Sequence, residues 1–139
     1  MSLVPENILK CMSASDRRKY AKGQFTAMEV YERVAAKEEK QEHKRFIGWL
    51  DRHDLDYTHS RMDKPATIKV GTPDFHVWKG ERHCFVEFKS EFGKLRQAQK
   101  DFLARQCERG TPVLVTQSYI EAAQFVVTTL GLDLLINIL

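Results

Sequence analysis

Apolar and polar positions alternate most regularly in two runs near the middle of the chain. These are Phe75-His76-Val77-Trp78-Lys79 and Arg82-His83-Cys84-Phe85-Val86-Glu87-Phe88-Lys89. A period of two over five to eight residues predicts half-buried strands. Gly80-Glu81 between them suits a two-residue type II′ loop, which takes Gly at its first position. Lys79 then pairs with Arg82, and side chains alternate between the two faces from there. Phe75, Val77, Cys84, Val86 and Phe88 share an apolar face; Asp74 falls opposite Glu87 on the other, with Lys89 two residues beyond.

The period lengthens on both sides of this hairpin. Thr26-Ala27-Met28-Glu29 is a capping box, predicting a helix to about residue 51. The charged middle of that helix, 37–45, is expected to be solvated on most sides, and its end, Phe46-Ile47-Gly48-Trp49-Leu50, to dock. Residues 1–24 read as polar, with a short helix over 14–22 loosely attached. Residues 54–71 read as an irregular connector with a short strand at 56–59, and Pro73, lacking an N–H, belongs at a strand start. Downstream the pattern predicts a helix over 97–108 stopped by Gly110, a strand at 113–116, and a helix opened by Ser118-Tyr119-Ile120-Glu121 and closed by Gly131. The apolar residues 132–139 are expected to pack on the domain or to form a dimer seam. This order predicts an α/β fold, a mixed β-sheet flanked by helices, with 1–25 as an N-terminal extension and 26–139 as the domain proper.

Composition excludes more than it specifies. No apolar run approaches the roughly 20 residues that span a bilayer, and no signal-peptide pattern opens the chain. Cys11, Cys84 and Cys107 are odd in number and lack C-x-x-C spacing, which fits a reducing cytoplasm rather than a disulfide framework or zinc site. The net charge is +3, but every Lys and Arg lies at or before residue 109, so residues 1–109 carry +5 and the remainder −2. Positive charge thus accompanies the Asp74/Glu87 pair, as a polyanionic substrate requires.

The candidate chemistry follows from the register. Like charges opposite each other destabilise a sheet, with Cβ atoms only about 5 Å apart, unless a cation lies between them. Asp74 and Glu87 therefore read as a metal site. Lys89, on the same face, can hold the attacking water, offset phosphate charge or act as a base. On the first long helix Glu42 lies four residues before Phe46 and seven before Trp49, so it shares their buried stripe; Glu39 lies on it one turn earlier. His76, opposite Phe85, is read as sheet packing, and His43, His53, His59 and His83 form no ligand-spaced pair.

Taken together, Gly71-x-Pro73-Asp74, Glu87-x-Lys89, Gly93-Lys94-Leu95-x-x-x-Gln99 and Gly110 before Val113-Leu114-Val115 closely resemble the VRR-Nuc family over about residues 38–125. These are virus-type replication-repair nucleases of the PD-(D/E)XK superfamily. The resemblance implies a restriction-endonuclease-like fold and Mg²⁺ or Mn²⁺ as cofactor, held by Asp74, Glu87, the Phe88 carbonyl and a first-helix acid. That acid is Glu42 by helical phase and Glu39 by spacing in some family members. The resemblance also implies Gln99 as a residue that orients water or phosphate.

Arg61, Lys64, Lys69, Lys94 and Arg96 flank these segments and are the candidate DNA contacts, which position a duplex without reading its sequence. The expected function is a divalent-metal-dependent DNA endonuclease in phage-type replication or repair. It would select structure, such as Holliday junctions or flaps, in the cytoplasm of a bacterial or phage-infected cell. A homodimer could place two sites on one branched substrate. A DNA-binding module with a silent site and a sequence-specific restriction-type enzyme are the alternatives.

Overall fold

The computed structural model describes residues 4–60, 71–90 and 94–132. In chain order these form α1 (Glu6–Leu9), α2 (Ala14–Ala21), α3 (Ala27–Arg52), β1 (Asp56–His59), β2 (Phe75–Lys79), β3 (Arg82–Phe88), α4 (Gln97–Glu108), β4 (Val113–Thr116) and α5 (Tyr119–Leu130). The sheet order is β1-β2-β3-β4. Its first three strands form an antiparallel meander, and β4 runs parallel to β3. The fold is α/β, a mixed sheet flanked by helices of the restriction-endonuclease-like kind. No helix among the described residues is long and apolar enough to cross a membrane.

The hairpin has the expected register, Lys79 with Arg82 through Phe75 with Val86. Gly80 carries φ +61, the left-handed value that a type II′ loop demands of its first central residue. Phe75, Val77, Cys84, Val86 and Phe88 are buried on one face beneath Phe46, Trp49 and Leu50 of α3 and Ala122, Ala123, Val126 and Leu130 of α5. Helix α4 lies over the other face, where the Phe102 ring meets Phe85 edge-on with centroids 5.2 Å apart.

The capping box of α3 forms in full: Glu29 N–H donates to Thr26 Oγ1 and Thr26 N–H to Glu29 Oε2, each at 3.2 Å. At α5 only half of the expected box forms. Ser118 Oγ accepts from the Ile120 and Glu121 amides, but the Ser118 amide donates to Thr116 Oγ1. The remaining cap comes from another element, since Glu42 Oε2 accepts the Tyr119 N–H at 2.8 Å.

The N-terminal segment is not loosely attached: Val4, Ile8 and Met12, four residues apart, are buried against Val30 and Val34 of α3, and α1 is a helix that the sequence pattern did not predict. The charged middle of α3 is exposed or partly exposed throughout, as expected, and Glu39, Glu42 and His43 each bond to a different part of the chain. Arg61, Lys64, Lys69 and the stretch from 133 onward, the proposed dimer seam, lie outside the described residues.

Candidate active site

The site gathers where α3 passes the start of β2, the end of β3 and the first turn of α4. Asp74 directly precedes β2. Its N–H donates to Glu87 Oε2 at 2.9 Å and its carbonyl accepts the Ser60 N–H at 2.8 Å. Its Oδ2 accepts the Phe88 N–H at 2.9 Å, so main chain and carboxylate both tie it to β3. Ser60 Oγ also holds the Pro73 carbonyl.

Gly71 shows why the motif begins with glycine. It has φ +92, and a Cβ there would collide with the Ala98 carbonyl of α4. The absence of a side chain lets the segment leading to Asp74 pass against the helix that carries Gln99.

Glu87 is only 2 % exposed although it is a carboxylate. Gln99 Nε2 donates to its Oε1 at 2.8 Å, while Gln99 Oε1 accepts the Arg96 N–H at 2.8 Å. The glutamine thus joins the start of α4 to the acid. Lys89 Nζ lies 3.6 Å from Glu87 Oε1. Burial first, then the Asp74 charge, push the Glu87 pKa from 4.5 up to about 7; Glu39 adds to the rise, and the Asp74 amide and Lys89 oppose it. A positive charge placed beside the two acids would bring that displaced carboxyl down again.

The two first-helix acids part company. Glu42 is committed to the α5 cap and to Arg45, whose Nη1 is 2.8 Å from its Oε1. Glu39 accepts the Ser90 N–H at 3.1 Å and is the one whose charge reaches Glu87. A cavity of about 140 Å³ lies alongside, with Glu38, Glu39, Glu42 and Lys89 in its wall. Lys94 and Arg96 are exposed on the approach to α4.

Sequence reasoning passed over two histidines that the fold brings in. His43 Nε2 is 3.1 Å from Asp74 Oδ2, and His59 Nε2 is 3.2 Å from His43 Nδ1. They are 31 and 16 residues from their partners, so no local spacing signalled them. Position 43 following Glu39 by one turn was the only available cue. His76 does pack on the sheet, stacked on Phe85 with centroids 4.6 Å apart.

The side-chain donors suit a small hard cation. Among the described residues no three His, Cys, Asp or Glu side chains are grouped to hold a metal. Two carboxylates with main-chain oxygen and water are nonetheless what Mg²⁺ ordinarily takes, since it keeps several of its waters.

Residues 12–119 match the family model for the VRR-NUC domain. The chain belongs to this family. The match starts well ahead of residue 38, where the motifs began to carry the resemblance, and takes in α2 and all of α3. A VRR-NUC domain is a nuclease of the PD-(D/E)XK type, and the matched span contains Asp74, Glu87 and Lys89. No curated protein and no solved structure matches the chain.

Proposed function

We propose that this VRR-NUC domain is a DNA endonuclease that hydrolyses phosphodiester bonds with Mg²⁺ or Mn²⁺, selecting branched DNA such as four-way junctions or flaps. The setting proposed is phage-type replication or repair in the cytoplasm. The observation that carries the reading is the buried Glu87, held against Asp74 and raised to about 7 with Lys89 Nζ 3.6 Å away. Asp74, Glu87 and the Phe88 carbonyl would hold the cation, with Glu39 favoured over Glu42 as the supporting acid because Glu42 is spent on α5. The cation supplies Lewis-acid stabilisation of phosphate charge and activates water.

The chain's own groups do the rest. Lys89 stands where it can orient the attacking water and offset charge on the phosphate. Gln99 fixes the Glu87 carboxylate, and its tie to the Arg96 amide anchors that grip to α4. Lys94 and Arg96, with Arg61, Lys64 and Lys69, are proposed to hold the DNA backbone, and a domain of this size has little further surface for reading sequence. A homodimer would present two such sites to a junction.

Labelled junctions, flaps and matched duplexes incubated with Mn²⁺ test this. Wild type should cut branched substrates in preference to duplex, and Asp74→Ala and Lys89→Ala should abolish cutting. A wild-type protein that cuts no DNA, or undiminished cutting by Asp74→Ala, would remove the reading. One alternative, a DNA-binding module with a silent site, draws support from the lack of a three-side-chain cluster among the described residues. Calorimetric titration with Mn²⁺ separates the two, because a silent site binds it poorly.

A further inference from the structure

Asp74 is held at almost every polar atom. Its N–H, its carbonyl and its Oδ2 all have partners, and Oδ2 has two, the Phe88 N–H at 2.9 Å and His43 Nε2 at 3.1 Å. Oδ1 alone has none among the described residues. A carboxylate only accepts, so His43 Nε2–H is the donor in that bond. His43 Nδ1 lies 3.2 Å from His59 Nε2, and in the Nε2–H tautomer it accepts there.

The rings are fixed as firmly as the carboxylate. His43 lies edge-on to Phe75 with centroids 5.3 Å apart and tilted against Phe88 at 5.2 Å. His59 stacks flat on Phe75 at 4.4 Å. His43 is about four-fifths buried and is carried by α3, one turn beyond Glu39, so a long helix sets its position rather than a loop.

We propose that His43 is a positioning residue for Asp74: with the Phe88 amide it occupies Oδ2 and so turns Oδ1 outward as the oxygen offered to a divalent cation, while His59 fixes the His43 tautomer. This rests on the metal-dependent reading above. The physical reason is that a ligating oxygen with a single allowed orientation loses less freedom on binding. Outer partners of ligating groups are typically worth about 10–100-fold in metal affinity.

The test is Mn²⁺ affinity of the full chain without DNA, read by calorimetry and by the electron paramagnetic resonance of free Mn²⁺. His43→Phe keeps a ring between Phe75 and Phe88 but loses the donor, and should bind about tenfold more weakly. His43→Gln keeps an N–H able to reach Oδ2 but loses the ring, and should stay within about threefold of wild type. The reverse order, Phe harmless and Gln harmful, or equal losses in both, would show that the ring's shape is what matters and overturn the proposal. Asp74→Ala serves as the reference. If it loses Mn²⁺ and His43→Phe does not, positioning by His43 is wrong and the metal site stands. If Asp74→Ala binds Mn²⁺ as wild type does, the metal site itself is wrong. Should His43→Phe fail to fold by thermal melting, His59→Phe, which keeps the stack on Phe75, decides. It should bind about threefold more weakly, and unchanged affinity overturns the proposal.

Discussion

Replacing Glu87 with Gln in metal-free protein should reverse the usual result of altering a buried acid at neutral pH. The Glu87 carboxyl is raised from 4.5 to about 7, chiefly by burial and by Asp74. At about 1.36 kcal/mol per pH unit, its ionised form is about 3 kcal/mol less compatible with the fold than with the unfolded chain. Since the native state binds this proton more tightly than the unfolded state, stability falls as pH rises between 4.5 and about 7. The contribution is fully present below 4.5 and gone above about 7. The amide of Glu87→Gln cannot ionise, so the variant lacks this dependence. Urea unfolding of both proteins in chelator at several pH values from about 4.5 to 8 isolates the effect, because subtraction cancels the other titrating groups. A constant offset is expected from the amide, whose NH₂ meets Gln99 or Asp74 less well. The stability of Glu87→Gln relative to wild type should rise by about 2–3 kcal/mol across the range. Mn²⁺ at about pH 8 should then stabilise wild type and leave Glu87→Gln nearly unmoved. A difference that does not vary with pH would refute the account of Glu87 as a strained acid awaiting positive charge.

Gly71→Ala should lower stability by more than about 2 kcal/mol in urea melts and weaken cleavage together with it. Its φ of +92 and the Ala98 carbonyl leave no room for a methyl group. Glu42→Leu should cost about 1–3 kcal/mol, because the Tyr119 N–H loses its acceptor, yet retain cleavage per folded molecule. Glu39→Gln should do the opposite, and equal cleavage by Glu39→Gln and wild type would exclude Glu39 from the site. Cys84 is fully buried, with its thiol pushed up to about 12 by that burial. It should resist a thiol reagent until denaturant is added, whereas the exposed Cys107 reacts at once.

Much of the scaffold was legible because its signals are local. The alternation in β2 and β3 with Gly80 between them set the register, since one residue of slip would have turned Phe75, Val77 and Val86 out of the core. The bounds of α4 and β4 followed from apolar period and from Gly110 as a stop. Motif spacing placed Asp74, Glu87, Lys89 and Gln99 as candidates, and the fold brings Asp74 and Lys89 to Glu87 and clasps Glu87 with Gln99. The N-terminal packing was missed because Val4, Ile8 and Met12 span only about two helical turns, and the polar residues 13–24 dominate the pattern of that segment.

What local pattern could not decide is which polar group on α3 faces which partner. Helical phase put Glu39 and Glu42 near one stripe, where roughly one residue of rotation separates a cap for α5 from a neighbour of Glu87. That choice depends on how α3 lies across the sheet, which is set by Phe46, Trp49 and Leu50 packing in one core with β2, β3 and α5. The sequence by itself therefore determined the strands, their register and the paired acids. Only the tertiary structure decided that Glu42 serves α5, that Glu39 turns toward Ser90 and Glu87, and that His43 and His59 stand behind Asp74, because those bonds span 16 to 77 residues of chain and exist only once the core has fixed the helix.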